Sequence, residues 1–255
     1  MGVILESKEL SKVYSVDKEN KQDILKNVNL QINKGEFVSV MGPSGSGKST
    51  LLYNISGMDR LTSGSVQFNG QEISTFSEQE LSTLRLNKMG FIFQQIHLLK
   101  NLNIFDNIVL SAYLAKKDSR KSINKRATEL MKRTNISSLA DHDVTQASGG
   151  QLQRVAICRA LINQPDIVFG DEPTGALNSK SADEVMEILA DINQTGTTIM
   201  LVTHDVKVAA KTERILYMLD GNIVGEYQLG KYRKEKNDSR AREEEVSRWL
   251  MKLGF

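Results

Sequence analysis

Gly42-Pro43-Ser44-Gly45-Ser46-Gly47-Lys48-Ser49-Thr50 is the stretch of this 255-residue chain whose residue types and spacing most directly imply chemistry. It fits G-x-x-x-x-G-K-[ST], in which glycines let the backbone turn tightly and bring its N–H groups against phosphate oxygens. A helix opening near Lys48 would add the positive end of its dipole. Lys48 would place a point charge on the β- and γ-phosphates of a nucleotide, and the Ser49 hydroxyl could ligate Mg2+. Alone, the loop implies a P-loop nucleotide binder, a description that kinases and GTPases share. A second pair of groups narrows it. The apolar run Ile167-Val168-Phe169 leads to Asp171 and Glu172, so a buried strand would carry two adjacent carboxylates to its C-terminal end. Asp171 would hold Mg2+ through water, and Glu172 would polarise an attacking water as general base.

The flanking elements have to place these groups. Phe37–Met41 is a short apolar run rich in β-formers and bounded by glycines, which predicts a buried strand running into the loop. Lys48–Ser56 reads as the helix that leaves it, closed by Gly57. Val28, Leu30 and Ile32 alternate with polar residues, as do Val66 and Phe68 before the Asn69-Gly70 turn, and these predict half-buried strands. Residues 77–87 and 105–135 carry helix formers, and a helical subdomain is expected at about 95–160. Leu161–Gly170, Thr197–Thr203 and Ile215–Leu219 hold further strand-like runs, with a helix over Ser181–Asn193. This alternation predicts an α/β fold with a mainly parallel core sheet. Residues 229–255 read as a charged linker, Gly230–Arg242, followed by an amphipathic helix. The stripe Val246, Trp249, Leu250 and Leu253 would pack on the protein's own surface or dock on a partner.

Composition excludes several classes. Net charge is +2, with 33 basic and 31 acidic side chains, so there is no electrostatic footprint for nucleic acid. The single cysteine, Cys158, excludes an internal disulfide and a multi-cysteine zinc site, and is expected in the core. The N-terminal residues lack the charged and apolar regions of a signal peptide. No run of about 18 apolar residues occurs, so any channel would have to come from another chain. His97 and His142 have no motif around them and are expected on the surface.

With these features in place, the sequence resembles the ABC ATPase family over about residues 3–228. Ser148-Gly149-Gly150-Gln151, within ASGGQLQRVAICRAL, is similar to the family's signature. Its logic is that of a second phosphate site, a serine hydroxyl and glycine N–H groups at a helix start. The resemblance implies a P-loop NTPase fold with an N-terminal antiparallel β-subdomain and an inserted α-helical subdomain. It also implies that the signature completes the P-loop site of a second subunit, giving a homodimer around two ATP molecules. Gln94 resembles the glutamine that contacts Mg2+ or water and senses the membrane subunit. His204, in Leu201-Val202-Thr203-His204, resembles the switch histidine on the γ-phosphate. Tyr14 resembles the aromatic that stacks on adenine, and Gly175-Ala176-Leu177-Asn178 the D-loop at the dimer seam. The catalytic set implied is Lys48, Gln94, Glu172 and His204, with ATP and Mg2+ as cofactors. Three positions depart from the family's pattern: Ala147 where leucine is usual, Asn178 where aspartate is, and Gly170 where a larger apolar residue is.

The strings FIFQQIHLL, DEPTGALNSK and VTHD resemble the branch of macrolide export, lipoprotein release and bacitracin or antimicrobial-peptide resistance. That branch implies a separate transmembrane permease, a peripheral position on the cytoplasmic face of the membrane, and a sensor histidine kinase reached through the permease. A lipoprotein-release or cell-division-type complex is the alternative. A DNA-repair-type ATPase is disfavoured, because no heptad run separates Lys48 from Asp171.

Overall fold

The computed structural model describes residues 2–15, 21–236 and 238–254. In chain order, β1 (Val3–Ser15) and β2 (Lys21–Asn33) pair antiparallel, and β3 (Phe37–Met41) runs into the glycine-rich loop before α1 (Lys48–Ile55). Next come β4 (Ser63–Phe68), β5 (Gln71–Glu72), α2 (Glu78–Lys88) and β6 (Met89–Phe93). Three helices follow, α3 (Ile104–Ala115), α4 (Arg120–Arg133) and α5 (Gly149–Leu161). The chain then alternates through β7 (Ile167–Asp171), α6 (Ser179–Gln194), β8 (Thr198–Val202), α7 (Val206–Ala209) and β9 (Arg214–Leu219). It ends with β10 (Asn222–Gln228) and α8 (Ser239–Lys252).

The strands form two sheets. The first is antiparallel, in the order β2-β1-β4-β5. The second has the order β10-β9-β3-β8-β7-β6, parallel throughout except for β10 against β9. Every residue of β3 and β8 is buried, as expected for central strands covered on both faces. The antiparallel sheet and one face of the parallel sheet share a core with Leu51, Leu52 and Ile55 of α1, all fully buried. At about 2 kcal/mol per buried aliphatic side chain, those three anchor the helix by roughly 6 kcal/mol. The other face carries a second core, where α3, α4 and α5 bring in Ile108, Ile123, Met131 and Ile157.

Several boundaries differ from the sequence expectation for physical reasons. Residues 105–135 are two helices. Lys116 closes α3 in the left-handed region at φ 52°, and the Ser119 side chain caps α4 by accepting from Ser122 N–H. Leu161 ends α5, and the strand expected to start there begins at Ile167. The helix expected from Ser181 starts at Ser179, behind an Asn178 cap.

The charged stretch Gly230–Arg242 is not simply a linker. α8 starts inside it, and Arg242 is 6% exposed. Its guanidinium donates to the carbonyls of Ala210 (2.7 Å), Thr212 (2.8 Å), Gly230 (2.9 Å) and Leu229 (3.1 Å). These bonds offset the desolvation that lowers the Arg242 pKa. Val246 and Leu250 bury against Met41, Ala209, Ile215 and Tyr217, and Trp249 stacks on Tyr227 with centroids 5.2 Å apart. The apolar stripe of α8 therefore packs on its own chain.

Candidate functional site

The parallel register brings the chemistry to one edge. Ligands of open α/β sheets bind beyond the carboxyl ends of the strands. There, Asp171 pairs with Val202, which sets Glu172 and His204 side by side just past the ends of β7 and β8. The Glu172 N–H donates to Val202 O at 3.0 Å and holds Glu172 at φ 47°, an uncommon conformation for a non-glycine residue. His204 Nδ1 lies 3.0 Å from Glu172 Oε1. A cavity of about 670 Å³ opens here between the glycine-rich loop and these two side chains. Ser44, Gly45, Gly47, Lys48, Ser49 and Thr50 line it on one side, and Glu172 and His204 on the other. A larger groove of about 920 Å³ at Gly2, Lys34, Asp166 and Thr195 lies at the opposite edge of the sheet. It lacks the glycine-rich loop, Lys48 and the facing carboxylate and imidazole of the loop cavity.

The loop is built for an anion. Gly47 caps α1 at φ 98°, and a side chain there would meet Ile24 O at 2.9 Å. No side chain caps α1, and its first turn holds no acidic residue. Side chains cap each of α2 to α7. The first N–H groups of α1 and its positive dipole end are thus left for a ligand of negative charge. The buried Ser46 hydroxyl has no protein partner. Lys48 Nζ donates to Pro43 O at 2.7 Å. Burial pulls the Lys48 pKa down, and the charges of Glu172 and Asp171 oppose that. These features fit the phosphates of a nucleotide.

The residues also fit Mg2+. Ser49 Oγ donates to Asp171 Oδ1 at 2.8 Å, an alcohol and a carboxylate of the hard-oxygen kind this ion takes. Among the described residues no cluster of three or more His, Cys, Asp or Glu could hold a metal unaided. Mg2+ that arrives with substrate phosphates needs only one or two protein oxygens.

The remaining expected residues are spread around this edge. Gln94 and Glu172 flank Gly175: a Cβ there would meet Gln94 Nε2 at 2.8 Å and Glu172 Oε2 at 3.2 Å. Arg159 fixes the segment after Gln94 by donating to Ile96 O and His97 O. Gly42, Pro43, Ser46, Gln94 and Tyr14 do not line the cavity itself. The Tyr14 hydroxyl donates to Asp59 Oδ2 at 2.5 Å, and its ring carries the Lys12 ammonium 4.6 Å from the centroid. Burial, then Asp59, pushes the Tyr14 phenol up to about 12. In the β1–β2 register Tyr14 sits opposite Gln22, which does line the cavity together with Ile24.

Ser148, Gly149, Gly150 and Gln151 open α5 away from the cavity. Ser148 Oγ accepts from Gln151 N–H, and Gln151 Oε1 accepts from Ser148 N–H at 2.8 Å. Gly149 approaches Leu177 and Gly150 approaches Ser181, so the start of α5 borders the start of α6 and the segment before it in its own chain. The three departures have local explanations. Asn178 Oδ1 accepts from Ser181 N–H at 2.9 Å, a capping role that an amide fills as well as a carboxylate. Leu201 Cδ2 occupies the space a side chain on Gly170 would need. Ala147 is partly buried against the helical core, and its small size is accommodated there. Cys158 is fully buried, and burial pushes its thiol up to about 12, which leaves it unreactive. His97 and His142 are exposed.

Sequence reasoning missed Gln22, Ile24 and Tyr53. The Tyr53 hydroxyl donates to Asp171 Oδ2 at 2.6 Å, and burial followed by Asp171 pushes that phenol up to about 12. Its spacing of four from Ser49 on a helix was the available signal.

Comparison with known proteins agrees with this geometry. The profile of the ABC transporter family matches residues 25–175. The chain is 43% identical over 213 residues to the uncharacterized ABC transporter ATP-binding protein YknY of Bacillus subtilis, covering 84% of this chain and 92% of that protein. It is 43% identical over 225 residues to the macrolide export ATP-binding/permease protein MacB of Mannheimia succiniciproducens, 88% of this chain but 35% of that protein. The chain therefore spans about a third of MacB's length. The ATP-binding cassette MJ0796, solved as a post-hydrolysis dimer bound to ADP and Pi, superposes with a TM-score of 0.83 at 41% identity. That match covers 90% of this chain and 100% of the cassette.

Proposed function

The chain belongs to the ABC transporter family as an Mg2+-dependent, ATP-hydrolysing subunit, and from that premise we propose that two copies pair head to tail around two ATP molecules to drive a separate membrane permease. The observation that carries this reading is the place of Ser148–Gly150. The three residues open α5 beside Leu177 and Ser181 and line no part of the Lys48 cavity. One chain thus offers a phosphate cradle to which its own Ser148–Gly150 contribute nothing, and a spare set of phosphate donors elsewhere.

In this reading Lys48 and the open end of α1 hold the β- and γ-phosphates. Ser49 and Asp171 hold Mg2+, which neutralises charge on the phosphate oxygens. The Glu172 carboxylate takes a proton from the attacking water, and the His204 contact aims it. His204 and Gln94 orient the γ-phosphate and the water. Tyr14, beside Gln22, stacks on adenine. The signature of the second copy supplies its serine hydroxyl and glycine N–H groups to the γ-phosphate, where they stabilise developing charge out of water. Closure shifts the segment Gln94–Leu102, where Leu99 is 47% exposed, and that segment moves the permease at the cytoplasmic face of the membrane.

Among the described residues no helix is long and apolar enough to cross a membrane. MacB is named for an ATP-binding part and a permease in one chain, and the match spans 35% of it, which supports pairing with a separate permease here. The finer reading is resistance to bacitracin-type antimicrobial peptides, with a sensor histidine kinase reached through the permease. Deleting the gene should lower resistance to bacitracin; unchanged sensitivity contradicts that finer reading. The shared site is tested by mixing Glu172→Gln with Ser148→Arg. Each should be inactive alone, and the mixture should regain ATPase activity because one of the two sites in the hybrid dimer is intact. A mixture as inactive as its parts contradicts completion across subunits.

A further inference from the structure

We propose that Tyr53 is a positioning residue for the magnesium site, holding the Asp171 carboxylate in the orientation that presents Oδ1 beside Ser49; this rests on the reading of Ser49 and Asp171 as Mg2+ residues. Ser49 and Tyr53 stand four residues apart on α1, so both hydroxyls leave the same face of the helix. That face looks onto the C-terminal end of β7. Ser49 Oγ donates to Asp171 Oδ1 at 2.8 Å, and Tyr53 Oη donates to Oδ2 at 2.6 Å. One carboxylate is gripped at both oxygens by one helix, which fixes its plane.

The two grips are not equivalent. Ser49 has a second task at the metal, and its hydroxyl lies on the wall of the cavity. Tyr53 does not line that cavity, and its ring packs into the core shared by α1 and the two sheets. Its carbonyl accepts from Met58 N–H (2.8 Å) and Asp59 N–H (3.0 Å), so the residue is held at the end of α1 as well. The phenol therefore keeps Oδ2 engaged whatever Ser49 does, and leaves Oδ1 as the oxygen beside Ser49, which lines the cavity. A hydrogen bond to an ionised carboxylate is among the stronger kinds, strong enough to decide the rotamer of the acid.

The test compares binding of a fluorescent ATP analogue to the full chain in EDTA and in saturating Mg2+, for wild type, Tyr53→Phe and Asp171→Asn. Phenylalanine keeps the packed ring and removes only the hydroxyl. The proposal predicts that Tyr53→Phe cuts the Mg2+-induced gain in affinity by roughly threefold to tenfold while affinity in EDTA stays unchanged. Asp171→Asn should abolish the gain. If Asp171→Asn abolishes it and Tyr53→Phe keeps it whole, Tyr53 does not position the site. An equal loss in EDTA and in Mg2+ would assign Tyr53 to packing alone and also overturn the proposal. If Asp171→Asn retains the full gain, the magnesium reading itself is wrong.

Discussion

His204 Nδ1 lies 3.0 Å from Glu172 Oε1, although the two residues come from the ends of different strands. The pairing of Asp171 with Val202 makes them neighbours, and the bond from Glu172 N–H to Val202 O holds the carboxylate in place. In the proposed mechanism this contact gives the Glu172 carboxylate a fixed direction, and both side chains line the cavity of the glycine-rich loop. Removing the imidazole should therefore cost turnover more than binding. We expect His204→Ala to lower kcat by about 10²-fold or more with ATP affinity nearly unchanged. Phosphate release and equilibrium nucleotide binding, measured on the same preparation, check this.

Gly175 lies between Gln94 and Glu172. A methyl group there would meet Gln94 Nε2 at 2.8 Å and Glu172 Oε2 at 3.2 Å. Both are the ends of movable side chains, so the fold can absorb the change while the alignment cannot. Gly175→Ala should reduce kcat by about tenfold with stability within about 0.5 kcal/mol of wild type. Steady-state kinetics and denaturant unfolding separate the two effects.

Tyr14 has two separable properties, its ring and its hydroxyl. Tyr14→Ala should weaken ATP binding by roughly tenfold through lost stacking, and Tyr14→Phe should leave it unchanged. The hydroxyl acts on Asp59. Burial raises the Asp59 pKa, but hydrogen bonds from Tyr14 and Lys12 outweigh it and hold the carboxyl below its usual value. The folded value is the lower one, so this stabilisation is present above the unfolded pKa of about 3.9 and is lost as pH falls through the folded value. The stability difference between wild type and Tyr14→Phe should thus be constant at neutral pH and shrink below about pH 4. Urea unfolding across pH 3 to 7 measures it.

Arg242 ties α8 to the segment that follows α7. Arg242→Ala would strand four carbonyls in partly or fully buried positions. We expect a loss of about 3 kcal/mol, read from denaturant unfolding. Arg242→Lys should recover only part of it, because an ammonium lacks the fork of donors.

The P-loop, the carboxylate pair and the signature were legible because each needs particular residue types at fixed local spacing. Glycine at 47 is demanded by backbone geometry and Ser148 by a helix start. The spacing of four puts Tyr53 on one helix face with Ser49, but it does not name the partner, which lies 118 positions away. Arg242 misled in the opposite sense. It stands in a run of charges, and composition cannot tell a solvated guanidinium from one buried among carbonyls. The break at Lys116–Ser119 was hidden because its residues are ordinary helix-surface types. Only the Ser119 cap marks the restart.

The central claim is that the loop at Gly42–Thr50 becomes a complete ATP site only when a second subunit joins it. Analytical ultracentrifugation of Glu172→Gln with saturating Mg·ATP tests it most directly. The variant should sediment as a dimer retaining two ATP per pair, with hydrolysis at least about 10²-fold below wild type. A strictly monomeric species saturated with ATP, or wild-type hydrolysis by this variant, would contradict it.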